Sequence, residues 1–107
     1  MQTQFSTKLT KQDWEIHGKL WNLLKLEGKW DFSSDDFRRY GLDQYFPEDK
    51  RWHLIGSMFM RFQVNRLINP IGIVHSVIPS NHGRKISLYR MKNLKATIES
   101  DEEAKQQ

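Results

Sequence analysis

The sequence predicts a small α+β domain made of three helices, one short strand and a C-terminal β-hairpin. Three observations carry this. Apolar residues recur at helical spacing as far as Arg66, and the period changes to two after Asn69-Pro70. A loop bearing Pro79, Asn81 and Gly83 then divides the alternating stretch in two. A chain of 107 residues has room for one such domain around a modest core.

Residues 1–9 are polar and are read as a flexible N-terminus. Helix 1 is expected over 11–27. Thr10 and Asp13 have the spacing of a reciprocal N-terminal cap, with Leu9 placed to staple onto Trp14. Trp14, Ile16, Leu20, Trp21, Leu23 and Leu24 then sweep an apolar arc, and Gly28 stands where a left-handed cap is needed. Trp30-Asp31-Phe32 is long enough only for an edge strand. The start signal returns at Phe32, Ser33, Asp35, Asp36 and Phe37, giving a short helix 2 over 34–40 that Gly41 ends.

Pro47, Glu48 and Asp49 open helix 3, expected over 48–66. At about 100° per residue, Trp52, Leu54, Ile55, Met58, Phe59 and Phe62 share one side. Lys50, His53, Ser57, Arg61 and Asn65 fall on the other. Strands follow at 71–77 and 85–91, with 78–84 as their loop. Trp14, Trp21, Trp30, Trp52, Phe32, Phe37, Phe59 and Phe62 all fit core positions, each large ring burying ~150–250 Å².

Charge is distributed unevenly. Between Lys50 and Ile98 stand nine Lys or Arg residues and no carboxylate, whereas residues 1–49 and 99–107 are both net acidic. Excluding carboxylates from nearly half of a chain that uses 13 elsewhere points to a polyanionic partner. With no cysteine there are no disulfides, thiolate zinc sites or thiol nucleophiles, and an intracellular setting is expected. No apolar run approaches the ~20 residues that cross a bilayer. The four histidines lie in different elements without ligand spacing, so no metal is expected. Asp35 and Asp36 are explained as helix-start residues. No nucleophile is set against a base, and no Gly-rich phosphate loop occurs, so neither catalysis nor a cofactor is expected.

From Thr10 to Met91, roughly three-quarters of the chain, the order helix, strand, helix, helix, strand, strand resembles the winged helix-turn-helix superfamily. Three patches are similar to small winged-helix proteins of phages and mobile elements: residues 30–37 (WDFSSDDF), 52–59 (WHLIGSMF) and 80–84 (SNHGR). The resemblance implies a small winged-helix domain over 10–92, its hairpin forming the wing, followed by a polar acidic tail over 93–107. It also implies helix 3 in the major groove of double-stranded DNA and the wing on the backbone.

Carried onto this chain, the DNA-contacting residues would be Lys50, Arg51, His53, Ser57, Arg61 and Asn65 on helix 3. On the wing they would be Asn81, His82, Arg84 and Lys85. Arg61 and Asn65 have base-reading chemistry, while Lys50, Arg51 and Ser57 suit phosphates. A regulatory role in transcription, replication or mobile-element function is then expected, in the cytoplasm or nucleoid, or in the host cell if the source is viral. One small module covers little sequence, so a specific site calls for a homodimer, with the apolar arc of helix 1 as candidate face. The alternative is a protein-interaction module or inhibitor whose basic half docks on an acidic partner. The carboxylates Glu48 and Asp49 at the head of helix 3 favour that reading.

Overall fold

A computed structural model describes residues 7–78 and 82–92 of the chain. Helix α1 (Lys11–Glu27) starts at the reciprocal cap: the Thr10 hydroxyl accepts the Asp13 amide, and Asp13 accepts the Thr10 amide, each at 3.0 Å. It ends at Gly28, φ 73°, where Lys29 N–H donates to Leu24 and Gly28 N–H to Lys25. This paired closure needs a left-handed residue. Strand β1 (Asp31–Phe32) leads into α2 (Ser34–Arg39), which Ser33 and Asp36 cap in the same reciprocal way.

The expected single helix over 48–66 is two pieces. A 3-10 turn (Glu48–Lys50) precedes α3 (Arg51–Val64), because Lys50 leaves the helical region at φ −123°, ψ 10°. The far end closes early. Arg66 adopts φ 61°, Leu67 N–H donates to Phe62 at 2.8 Å, and Arg66 N–H donates to Gln63. Arginine thus fills a position that glycine usually takes.

Strand β2 (Ile68–His75) begins three residues before its expected start and runs through Pro70. Proline is tolerated because β2 is an edge: the sheet order is β1-β3-β2, with β3 (Lys85–Met91) antiparallel to both neighbours. Ile68 opposite Met91 anchors the pair in the core, and a register shift at Ile71 absorbs the irregularity that Pro70 introduces. After Ile68 the strand is mostly exposed. Three helices and a three-stranded antiparallel sheet therefore make a small α+β domain, as the sequence predicts.

The core is built from Ile16, Leu20 and Leu24 of α1, Phe37 of α2, Ile55, Met58, Phe59 and Phe62 of α3, and Phe32, Ile68 and Met91 of the sheet. Phe59 is its centre, with rings of Phe37, Tyr89 and Phe32 at 5.2, 5.4 and 5.9 Å. The phenylalanines behave as expected and the tryptophans do not. Trp14, Trp30 and Trp52 are 50 %, 42 % and 40 % exposed, and Trp21 is half-buried. Of the apolar arc of helix 1, Ile16, Leu20 and Leu24 lie in the core, Trp21 and Leu23 are half-buried, and Trp14 is exposed. Among the described residues no helix is long and apolar enough to cross a membrane.

Candidate nucleic-acid interface

The distal end of the hairpin is tied to α2. Asp35 accepts the Ser76 hydroxyl and the Val77 amide, both at 2.8 Å, so its carboxylate anchors the end of β2. Asp36, its neighbour, turns the other way to cap the helix and pair with Lys29 at 2.9 Å. Adjacent positions on a helix diverge by about 100°, which is why two consecutive aspartates do separate work.

Between this tether, α2 and the first turn of α3 lies a cleft of about 360 Å³. Its floor is apolar, formed by Phe59, Ile86 and Tyr89. Arg38 of α2, Arg84 and Lys85 line it as well, as do Trp52, Ser34 and Asp35, whose carboxylate accepts from Ser76 and Val77. The Arg38 guanidinium carbon stands 5.3 Å from the Trp52 ring centroid, in cation–π range. On the hairpin, His82 (φ 49°) and Gly83 (φ 72°) turn the chain into β3, and His75 Nδ1 lies 2.9 Å from the Gly83 carbonyl.

Ion pairs engage some of the cations. Arg39 holds Glu27 at 2.7 Å and Asp36 at 3.0 Å, Lys29 holds Asp36, and Arg90 holds Asp31 at 2.8 Å. These pairs lie along the α1–α2–β1 side. Asp36 ionises below its ordinary range: burial opposes ionisation, but hydrogen bonds from Lys29, the Ser33 amide and Arg39 outweigh it. Asp31 is also lowered, chiefly by its hydrogen bond from Arg90. By contrast, Arg38, Arg84 and Lys85 of the cleft form no ion pair among the described residues.

The sequence-predicted contact residues divide accordingly. Lys50 and His53 are exposed at the head of α3. Arg51 is half-buried, with Nε donating to the Phe46 carbonyl at 3.3 Å, and Ser57 donates back to the His53 carbonyl at 3.1 Å. Arg61 is committed elsewhere: Nε and a terminal nitrogen donate to the two Asp13 oxygens at 2.7 and 2.8 Å, joining α3 to α1. Asn65 caps α3, its amide donating to the Thr7 and Arg61 carbonyls at 2.7 and 2.8 Å. The two side chains best suited to read bases are thus occupied by the fold. His82, Arg84 and Lys85 are exposed on the hairpin, and Asn81 and the tail over 93–107 lie outside the described residues.

Sequence reasoning missed Arg38 and the outward turn of Trp52. Trp52 lies seven residues before Phe59, about 20° from it in helical angle, so periodicity assigns both to the core. Seven residues are also about 10 Å of helix, enough to carry Trp52 past the end of the core. For Arg38, the one signal was its place a turn after Asp35, on the α2 face that Asp35 turns toward the hairpin. A comparison of this chain with protein-family models, with curated proteins and with solved structures finds no match.

Proposed function

We propose that this chain is a winged-helix domain that binds double-stranded DNA without catalysis, in a regulatory or accessory role. The β1-β3-β2 sheet order, with the largely exposed β2–β3 hairpin in the place of a wing, supports the winged-helix identity. One observation carries the DNA reading. Arg38, Arg84 and Lys85 stand together around one cleft beside the wing and form no ion pair among the described residues. A surface whose charges are left uncompensated next to an exposed hairpin suits phosphate contact.

The reading is led by the wing rather than by helix 3. With Arg61 and Asn65 engaged, His53 and Ser57 are what remains toward bases of the helix 3 stripe that the sequence predicts, so affinity is expected to be largely electrostatic and sequence discrimination modest. The double variant Arg84→Glu, Lys85→Glu is expected to weaken duplex binding at least tenfold near 0.1 M salt. It should also flatten the log–log salt dependence by about 1.8, at ~0.9 for each phosphate that is no longer neutralised. Fluorescence anisotropy across a salt series measures both, and an unchanged slope would remove the proposal.

A second reading rests on a different feature. The outward ridge of α3 is Trp52, Gly56, Met60 and Val64, spaced by four and uncharged, with Met60 49 % and Val64 51 % exposed. A Cβ built on Gly56 would meet nothing within 4 Å, so a partner helix has room to approach. Such a ridge suits an apolar helix better than a major groove. Met60→Glu separates the two readings: it is expected to abolish association with a protein partner, or between two copies, while leaving duplex affinity within about twofold. Equal loss of duplex binding would instead place this ridge against DNA.

A further inference from the structure

We infer that the cleft between the wing and the first turn of α3 seats a single unpaired nucleotide, its base stacked on Trp52 and its phosphate held by Arg84 and Lys85. The inference rests on the nucleic-acid reading above and deepens it, because it names a ligand that a fully paired duplex does not present.

Four features converge on this ligand. Trp52 is 40 % exposed and lines the cleft, although an indole of that size gains most from burial. Arg38 lies over the ring at 5.3 Å, a planar cation that helps fix the indole in place. The floor is apolar, from Phe59 and Tyr89, and the cations Arg84 and Lys85 form no ion pair among the described residues. A groove built only to track phosphates needs neither an aromatic wall nor an apolar floor. Both are what a base requires, since every base has a π-face and loses water on stacking.

Size narrows the ligand further. About 360 Å³ lies at the lower end of small-molecule sites, which span roughly 300–1,000 Å³. It is too small for a helix or a duplex. Bases inside a duplex already have both faces stacked, so the occupant is an unpaired base: a strand end, a flipped nucleotide or a free mononucleotide. The shared chemistry is a nucleobase carrying a phosphate.

The test uses the whole chain and three labelled probes. These are a blunt duplex, the same duplex with a short single-stranded thymidine tail, and that tailed duplex with abasic sites in the tail. Thymidine monophosphate serves as competitor. The tailed duplex is expected to bind at least about fivefold tighter than the blunt one, the lower end of what stacking one base is worth. The abasic tail should lose that gain. Trp52→Leu should lower the tailed duplex to the affinity of the blunt one, and Trp52→Phe, which keeps a π-face, should restore part of the difference. Circular dichroism verifies that both variants fold, and Trp52 lies outside the buried core.

Displacement of the tail by the mononucleotide would identify a free nucleotide as sufficient, and resistance to it would identify the strand. Equal affinity for all three probes, or a preference that survives Trp52→Leu, would overturn the inference while leaving duplex binding in place. Binding of the tailed probe alone would keep this site and remove the duplex reading. Failure to bind any probe would remove both.

Discussion

Replacing Asp13 with Ala is expected to lower the unfolding free energy by about 3–5 kcal/mol, the loss typical of removing one member of a buried ion pair. Asp13 is 2 % exposed and accepts the Arg61 guanidinium on both oxygens, at 2.7 and 2.8 Å, as well as the Thr10 amide. Its removal leaves a largely enclosed guanidinium without a counter-charge and also opens the N-terminal cap of α1. Arg61→Met should cost somewhat less, because the cap survives. The double variant Asp13→Ala, Arg61→Met should fall well short of the sum, since no charge is then stranded. Urea denaturation of the three variants measures this, and simple additivity would show that the two side chains act independently. The pair also governs how Arg61 variants are read. Loss of DNA binding by Arg61→Glu would follow from two like charges facing each other between α1 and α3, so the wing residues are the ones that report on binding.

Local signals are legible in the sequence, and relationships across the chain are not. Thr10, Asp13 and Gly28 mark the ends of α1 at the residues where it starts and stops, because caps are decided within a few positions of the backbone they satisfy. The change of period after Pro70 likewise reveals the hairpin. What it does not reveal is that β2 begins at Ile68, because that start is set by Met91, on another strand. Arg61 and Asp13 are 48 positions apart, and the chemistry that makes Arg61 an attractive base reader is the same chemistry that pairs it with a carboxylate. Asp35 explains itself twice over, as a helix-start acid in the sequence and as the anchor of Ser76 and Val77 in the fold. Helical angle reports the side on which a residue lies but not its depth along the axis. For that reason periodicity sends Trp52 to the core and leaves the wall of the cleft unseen.

Acidification is expected to destabilise the domain well before its carboxylates titrate. His17 is 1 % exposed, lies between the rings of Phe62 and Trp14 at 5.4 and 6.1 Å, and its Nε2 has no hydrogen-bond partner among the described residues. Burial alone pushes its pKa down from 6.5 to about 4, because nothing beside it receives an imidazolium. The nearest candidate on its own helix, Asp13 one turn earlier, is already spent on Arg61 and Thr10. Below 6.5 the unfolded chain therefore binds a proton that the folded chain refuses, and stability falls with pH down to about 4, by about 3 kcal/mol in all. The carboxylates act in a separate window. For Asp13, burial opposes ionisation, but the Arg61 and Thr10 hydrogen bonds hold its pKa below 3.8, so its contribution is complete above that value and lost only as pH falls further. Chemical denaturation between pH 7 and pH 5 thus isolates the histidine, because Glu27, held below its ordinary 4.5 chiefly by the Arg39 hydrogen bond, begins to contribute only below that. His17→Leu should flatten the curve across that window and leave stability at pH 7 within about 1 kcal/mol, since it exchanges an unsatisfied ring nitrogen for apolar volume. An undiminished slope in the variant would assign the acid sensitivity to another group.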